Sequence, residues 1–306
     1  MVDKNQASIV IYNLSKRYRR SNAYALKNLT LEVKPGEVYG FLGPNGAGKS
    51  TTIRLLMNFI QPSQGTASIL GKDVVKDSVE IKKDVGYLSG DFAVYPKMTG
   101  KQYLSYLSDL QSPAKGYVKE LSRLLKAELD KRLGELSRGN RQKIGLIQAF
   151  MHQPRVLILD EPTSGLDPLM QEVFYKLVTE AKQRDASVFI SSHIMSEVQK
   201  TCDKVGIIRS GKLVSEENIS QLTKIASQTF DIEFSSKAPV DQLKKLTGIK
   251  IERKDGNQVT LHINGKLAPL FTVLAKCDVT RIEARNLDLE DYFLKFYQDQ
   301  PRKVKK

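Results

Sequence analysis

The nine-residue stretch Gly43-Pro44-Asn45-Gly46-Ala47-Gly48-Lys49-Ser50-Thr51 contains no large apolar side chain. It follows Val38–Leu42, an apolar run that reads as a strand. It leads into Ser50–Ile60, where Ile53, Leu56, Met57 and Ile60 recur at helical spacing. A chain building only a core does not give up so many consecutive positions between a strand and a helix. The glycines remove Cβ atoms, so backbone N–H groups can wrap a compact anion. The N-terminus of the following helix faces the same point with its positive dipole end.

The loop fits Gly-x-x-x-x-Gly-Lys-Ser, the P-loop pattern. In that reading Gly43, Pro44, Asn45, Gly46, Ala47 and Gly48 cradle the phosphates of ATP. Lys49 reaches the β- and γ-phosphates, the Ser50 hydroxyl ligates Mg²⁺, and Thr51 adds a phosphate contact. Val156-Leu157-Ile158-Leu159-Asp160-Glu161 is the expected companion. A buried strand delivers carboxylates to its C-terminal end, the ligand side of an open α/β sheet. Asp160 then holds Mg²⁺ or its water, and Glu161 orients and deprotonates the attacking water.

The rest of the first 220 residues alternates strands with helices, which indicates a mostly parallel, helix-covered sheet. Ser8–Leu14 and Leu29–Val33 read as strands, with a turn at Pro35-Gly36. Residues 98–152 are leucine-rich and helical, broken at Pro113 and Gly116. Pro168 suits the first turn of a helix continuing to Gln183. Ser187–Ser191 reads as a strand, and Ser210-Gly211 as the turn of a hairpin. Past about residue 220 the order becomes βαββαβ: Thr229–Phe234, Val240–Leu246, Ile249–Arg253, Gln258–Ile263, Leu267–Lys276 and Val279–Ala284, with a helix at Leu289–Tyr297. That order suggests a small ferredoxin-like α+β appendage. The expected division is 1–220 and 225–306, with a helical subdomain at about 97–152.

Further motifs follow in fixed order: Leu136-Ser137-Arg138-Gly139-Asn140, then Ser164-Gly165-Leu166-Asp167 after Glu161-Pro162-Thr163, then His193 in Ser191-Ser192-His193. Tyr18 lies early, in Lys16-Arg17-Tyr18. With the P-loop and Asp160-Glu161, the set resembles the nucleotide-binding subunit of an ATP-binding-cassette (ABC) transporter over residues 1 to about 220. The resemblance implies a P-loop ATPase cassette with a mixed sheet core and a helical subdomain. It implies that Tyr18 stacks on adenine, that Ser137, Gly139 and Asn140 form the signature, that Asp167 closes the D-loop and that His193 is the switch histidine. It also implies a dimer, a second copy or a homologue, in which the signature of one subunit covers the ATP of the other. Read without the resemblance, Ser137 could be an ordinary helix N-cap, Tyr18 a strand-end core residue and His193 merely structural.

Two features depart from the family pattern. Arg138 and Asn140 replace a glycine and a glutamine of the signature; Arg138 either adds charge near phosphate or points to solvent. In Gly86-Tyr87-Leu88-Ser89-Gly90-Asp91 the usual glutamine falls at about Gly90, and only Asp91 could approximate its metal-side role from one position later.

The longest apolar runs are four or five residues, far short of the ~18–20 that a membrane helix needs. No apolar secretory stretch follows Met1, and Cys202 and Cys277 lack metal-ligand spacing. The expected setting is cytoplasmic, peripheral on the inner membrane face, with a separate integral-membrane permease as partner. The resemblance of the appendage, with its Leu287–Phe293 stretch, is to ABC-2-type systems and favours export. The net charge of +14 is spread along the chain, with 16 basic against 11 acidic residues over 221–306. Such charge suits an anionic membrane surface or simple solubility, and also a nucleic acid. A soluble ABC-type ATPase acting on nucleic acid or ribosomes is therefore the alternative. Against it, that branch carries two cassettes per chain or long coiled coils, and this sequence has neither.

Overall fold

The computed structural model describes residues 7–19, 23–90, 95–226, 229–263 and 266–284, with backbone only for 223–226. It divides into two compact units, Met1–Glu217 and Asn218–Lys306.

The first unit begins with β1 (Ile9–Arg17), β2 (Tyr24–Val33), β3 (Val38–Leu42), α1 (Lys49–Leu56), β4 (Gln64–Ile69), β5 (Lys72–Asp73), α2 (Ser78–Asp84) and β6 (Val85–Leu88). Strands β1 and β2 do not join the parallel sheet. They build a separate four-stranded sheet in the order β2-β1-β4-β5, with antiparallel pairing. The alternation of β2 explains this, because one face is buried and the other wet. β4, β5 and α2 lie in a stretch whose short polar pattern gives no periodicity to read.

The chain continues through α3 (Gly100–Gln111), α4 (Tyr117–Leu124), a 3₁₀ turn at Leu133–Glu135 and α5 (Arg138–Phe150). A reciprocal capping box starts α3: Thr99 accepts from Gln102 N–H, and Gln102 accepts from Thr99 N–H at 2.9 Å. The break between α3 and α4 falls at Ser112 and Gly116, both with positive φ. Helices α3 and α4 pack on α5, and α5 packs on β6.

There follow β7 (Val156–Asp160), α6 (Pro168–Gln183), β8 (Ser187–Ser192), α7 (Met195–Thr201), β9 (Lys204–Arg209) and β10 (Lys212–Asn218). The second sheet runs β10-β9-β3-β8-β7-β6. The pairs β9–β3, β3–β8, β8–β7 and β7–β6 are parallel. Every residue of β3, β7 and β8 is buried, as expected of strands covered on both faces. Ser210 and Gly211 both have positive φ, as a two-residue hairpin turn requires.

The second unit opens with α8 (Ile219–Ala226). It then runs β11 (Thr229–Phe234), α9 (Val240–Lys244), β12 (Ile249–Asp255), β13 (Gln258–Ile263), α10 (Ala268–Leu274) and β14 (Val279–Ala284). The antiparallel sheet order β12-β13-β11-β14 is the ferredoxin-like arrangement. Phe230, Ile232, Phe234, Leu261 and Ile263 pack with Leu243 and Leu270 as its core. Asp91, the helix expected at Leu289–Tyr297 and the basic tail lie outside the described residues.

A Cβ added to Gly86 in β6 would lie 2.0 Å from the Ala149 carbonyl of α5. Backbone on both sides fixes that approach. Gly86→Ala is expected to destabilise the first unit by about 3 kcal/mol, measured by urea unfolding. An unchanged midpoint would show that α5 shifts freely over β6.

Candidate functional site

The parallel register brings three strand ends together. Leu42, the last residue of β3, is opposite Ser192 of β8, and Asp160, the last of β7, is opposite Ser191. Chain leaving these ends must emerge on one side of the sheet. That side holds the Gly43–Gly48 loop, Glu161 and His193.

Sterics fix the loop. A Cβ on Gly43 would lie 2.5 Å from the Ile208 carbonyl, and one on Gly48 would lie 2.8 Å from the Ala25 carbonyl. Gly48 caps α1 with φ 116°, which an L side chain rarely adopts. A shallow cleft of about 150 Å³ opens over the loop, lined by Ala25, Asn45, Gly46, Lys49, Ser50, Thr51 and Glu161 among others.

Lys49 is buried at the floor. Its Nζ donates to the carbonyls of Gly43 at 2.7 Å and Pro44 at 3.3 Å, and lies 3.5 Å from Glu161 Oε1. The same Glu161 oxygen lies 3.2 Å from His193 Nδ1. One carboxylate thus sits between an ammonium and an imidazole at the mouth of an amide-lined loop. Glu161 holds φ +49°, an uncommon conformation for a non-glycine residue. Its backbone N–H reaches the Ser191 carbonyl and hydroxyl, each at 3.2 Å. Its carbonyl accepts from Gln142 Nε2 at 3.2 Å, and Gln142 also reaches the Pro162 carbonyl at 2.9 Å.

Asp160 is buried, and its Oδ1 accepts from the Ser191 hydroxyl. Its Oδ2 is 3.2 Å from where a Cβ on Gly90 would stand, so glycine leaves that face of the carboxylate open. Burial raises the pKa of the neighbouring Tyr87 phenol; a hydrogen bond with Ser89 offsets part of this, and the charge of Asp160 adds to it. No group of three acidic, His or Cys side chains arranged to hold a metal ion by themselves occurs among the described residues. The hard-oxygen donors here are one buried carboxylate and the exposed Ser50 hydroxyl at the start of α1. That set suits Mg²⁺, which takes few protein ligands and completes its shell with phosphates and water.

The signature residues are not in this cleft. Ser137 caps α5 and accepts from Asn140 N–H at 3.2 Å. The Asn140 side chain donates to Glu128 at 2.8 Å. A Cβ on Gly139 would lie 2.6 Å from the Gly165 carbonyl, and Arg138 Nη2 donates to Ser164 at 2.7 Å. The signature is therefore seated on the loop that precedes α6. Asp167 caps α6, accepting from Met170 N–H at 3.0 Å. Tyr18 follows β1, is 39% exposed and has Lys16 Nζ 5.4 Å from its ring centroid.

Residues 26–164 match the ABC transporter family. A bacitracin transport ATP-binding protein of Bacillus licheniformis, BcrA, is 35% identical over 92% of this chain and 95% of its own length. This chain belongs to the ABC transporter ATP-binding proteins. The ABC transporter ATP-binding protein NatA of Bacillus subtilis is 34% identical over 67% of this chain and 87% of its own. A solved ATP-binding subunit of an ABC transporter superposes with TM-score 0.64 at 26% identity, over 71% of this chain and 92% of that one. A bacterial ABC cassette solved as a dimer shares the fold, with TM-score 0.64 at 21% identity, over 69% of this chain and 98% of that one.

The chain is accordingly an ATP-binding, ATP-hydrolysing subunit of this transporter class. No helix among its described residues is long and apolar enough to cross a membrane. Three supports of the ATPase site escape motif reading. Gln142, Ser191 and Glu197 bind only through the fold; Glu197 accepts from the hydroxyls of Thr163 and Ser192. Of the three, only Ser191 stands out in the sequence, as a polar side chain ending an apolar strand.

Gly48→Ala adds a Cβ against the Ala25 carbonyl at a strained φ. Titration of the variant with a fluorescent ATP analogue is expected to show affinity at least roughly tenfold weaker. Unchanged affinity would mean that the loop conformation is not needed to bind nucleotide.

Proposed function

We propose that this subunit hydrolyses MgATP between two copies of itself, or itself and a homologue, and thereby drives a separate membrane permease in export. The observation that carries the catalytic half is the Glu161 carboxylate, placed between Lys49 and His193 at the mouth of the loop.

Lys49 donates to two loop carbonyls and is paired in charge with Glu161. An incoming triphosphate competes for Lys49 as a stronger anion and frees Glu161 from the pair. Glu161 then accepts the proton of a water as the water oxygen bonds to the γ-phosphorus and the bond to the β–γ bridging oxygen breaks. Lys49 and the N–H groups of Gly46–Thr51 take the charge of the β- and γ-phosphates. His193 donates to a γ-phosphate oxygen from the other side of Glu161. Ser50 and Asp160 hold Mg²⁺, which supplies further charge neutralisation to the phosphates. Tyr18 offers a ring to adenine.

A second copy supplies Ser137, Gly139 and Asn140, because the signature of the same chain is absent from the cleft lining. The seating of the signature on Ser164 and Gly165 supports a role for the loop ending at Asp167 at the same interface. The permease is a separate integral-membrane polypeptide in this reading, and this subunit is peripheral to it on the inner membrane face. The bacitracin transport relative, which aligns over 92% of the chain, supports a cargo resembling a peptide antibiotic.

Glu161→Gln keeps the shape and removes the base. Steady-state ATP turnover is expected to fall roughly 10²–10³-fold with nucleotide affinity retained, and MgATP is expected to convert the variant to a stable dimer on size exclusion. Retained turnover would remove Glu161 from the chemistry, and a monomer with MgATP would remove the closed dimer.

A further inference from the structure

Strand β14 forms one edge of the second unit's sheet. It pairs with β11 on one side, and no described strand pairs with the other. Its residues Thr280–Ala284 are all exposed, Ile282 at 42%. An open strand edge is a row of unpaired N–H and C=O groups, and proteins ordinarily blunt it. The opposite edge is blunted. The ladder of β12 slips in mid-strand, between Ile251 and Arg253, and Lys250 and Lys254 flank the slip. In β14 the ladder slips at its beginning, between the Phe234–Val279 and Glu233–Arg281 pairs. Arg281–Ala284 is left regular.

We propose that this edge is an interface with the β14 edge of a second copy, through antiparallel strand pairing about a two-fold axis at Ile282. The sequence of the strand selects the register. Directly opposite residues in an antiparallel pair share a face, so an odd shift would place Arg281 or Glu283 opposite Ile282 and mix the two faces. Of the even registers, centring on Arg281 faces it with itself, and centring on Glu283 does the same for that acid. Only the register centred on Ile282 sets Arg281 opposite the partner's Glu283, twice by symmetry. It also sets Ile282 against its own copy and Thr280 against Ala284. Within one chain, Glu283 lies directly across from Asp231, and Arg281, itself across from Glu233, reaches Glu283 Oε1 with its Nη2 at 2.5 Å. Arg281 of the second copy would add a further cation to this acidic cluster from the outer side. A two-fold interface requires such self-complementarity. This proposal is independent of the ATP-dependent dimer above, since it concerns residues outside the ATPase unit.

The test uses the full chain without nucleotide or Mg²⁺, followed by sedimentation velocity over a concentration series. The wild type is expected to show a monomer–dimer equilibrium. Arg281→Glu and Glu283→Arg each replace two attractive cross-strand pairs by two repulsive ones and are expected to weaken it roughly tenfold. An equimolar mixture of the two variants recreates both attractive pairs across the interface and is expected to restore dimer. Circular dichroism melting and ATP binding establish that each variant is folded. Because the mixture changes nothing within either chain, its recovery cannot come from altered folding. In a Cys277→Ser background, Ile282→Cys places two thiols at the axis and is expected to cross-link within minutes of mild oxidation. A monomeric wild type, single variants that dimerise as well as wild type, or a mixture that stays monomeric would each overturn the interface. Failure of the Ile282→Cys variant to cross-link in a dimer that does form would overturn the register.

Discussion

The hydrogen-bonded register of β3, β8 and β7 is the constraint on which the ATPase site rests. Parallel strands end on the same side only if their ladders are aligned, and here Leu42, Ser192 and Asp160 end within one residue of each other. Each strand then hands over a different chemical element: an amide-lined loop, an imidazole and a pair of carboxylates. A slip of one residue in β8 would put Ser191 out of reach of both Asp160 Oδ1 and Glu161 N–H. The serines in this otherwise apolar strand are therefore part of the site, although they carry no chemistry of their own. Ser191 sets the direction of Asp160, and Ser192 joins Glu197, which also holds Thr163.

Lys49 is the most exposed to electrostatic cost, because it is a buried ammonium. Its three acceptors, two of them loop carbonyls, offset that cost. The ammonium thereby closes the loop on itself. A buried charge loses much if left unpaired, so in the proposed mechanism a phosphate would replace these partners rather than meet a bare charge. The strained backbone of Glu161 fits the same logic. Gln142 and Ser191 hold its peptide groups from both sides, so its carboxylate can change partner without moving the strand end.

Much of this was legible in the sequence because the elements carrying it have strong local signals. The apolar run Val38–Leu42, the glycine pattern after it and the acidic end of Val156–Asp160 each specify conformation within a few residues. The βαββαβ order of the second unit was legible for the same reason, since its strands Thr229–Phe234, Gln258–Ile263 and Val279–Ala284 alternate or carry clear turn residues. The separate antiparallel sheet was not. Whether Ile9–Arg17 pairs with Val38–Leu42 or with Gln64–Ile69 is decided by long-range register, and Gln64–Ile69 has too little apolar pattern to announce itself. Nor could a sequence show that Gly90 stands against the Asp160 carboxylate, or that Gln142 spans to two carbonyls beyond β7.

The unusual signature is best understood through what Arg138 touches. Arg138 opens α5 and is exposed, its guanidinium meets the Ser164 hydroxyl, and its stem lies 3.5 Å from where a Cβ on Gly165 would stand. Gly139 closes on the Gly165 carbonyl beside it. Two adjacent residues thus join the N-terminus of α5 to the loop before α6, one by close backbone approach and one by a charge-assisted hydrogen bond. A glycine in place of Arg138 would leave only the first of these. Arg138 therefore adds a side-chain contact between two segments that Gln142 also links, through the carbonyls of Glu161 and Pro162. The contact leaves the Ser137 cap of α5 unaltered, with Ser137 still accepting from Asn140 N–H at 3.2 Å.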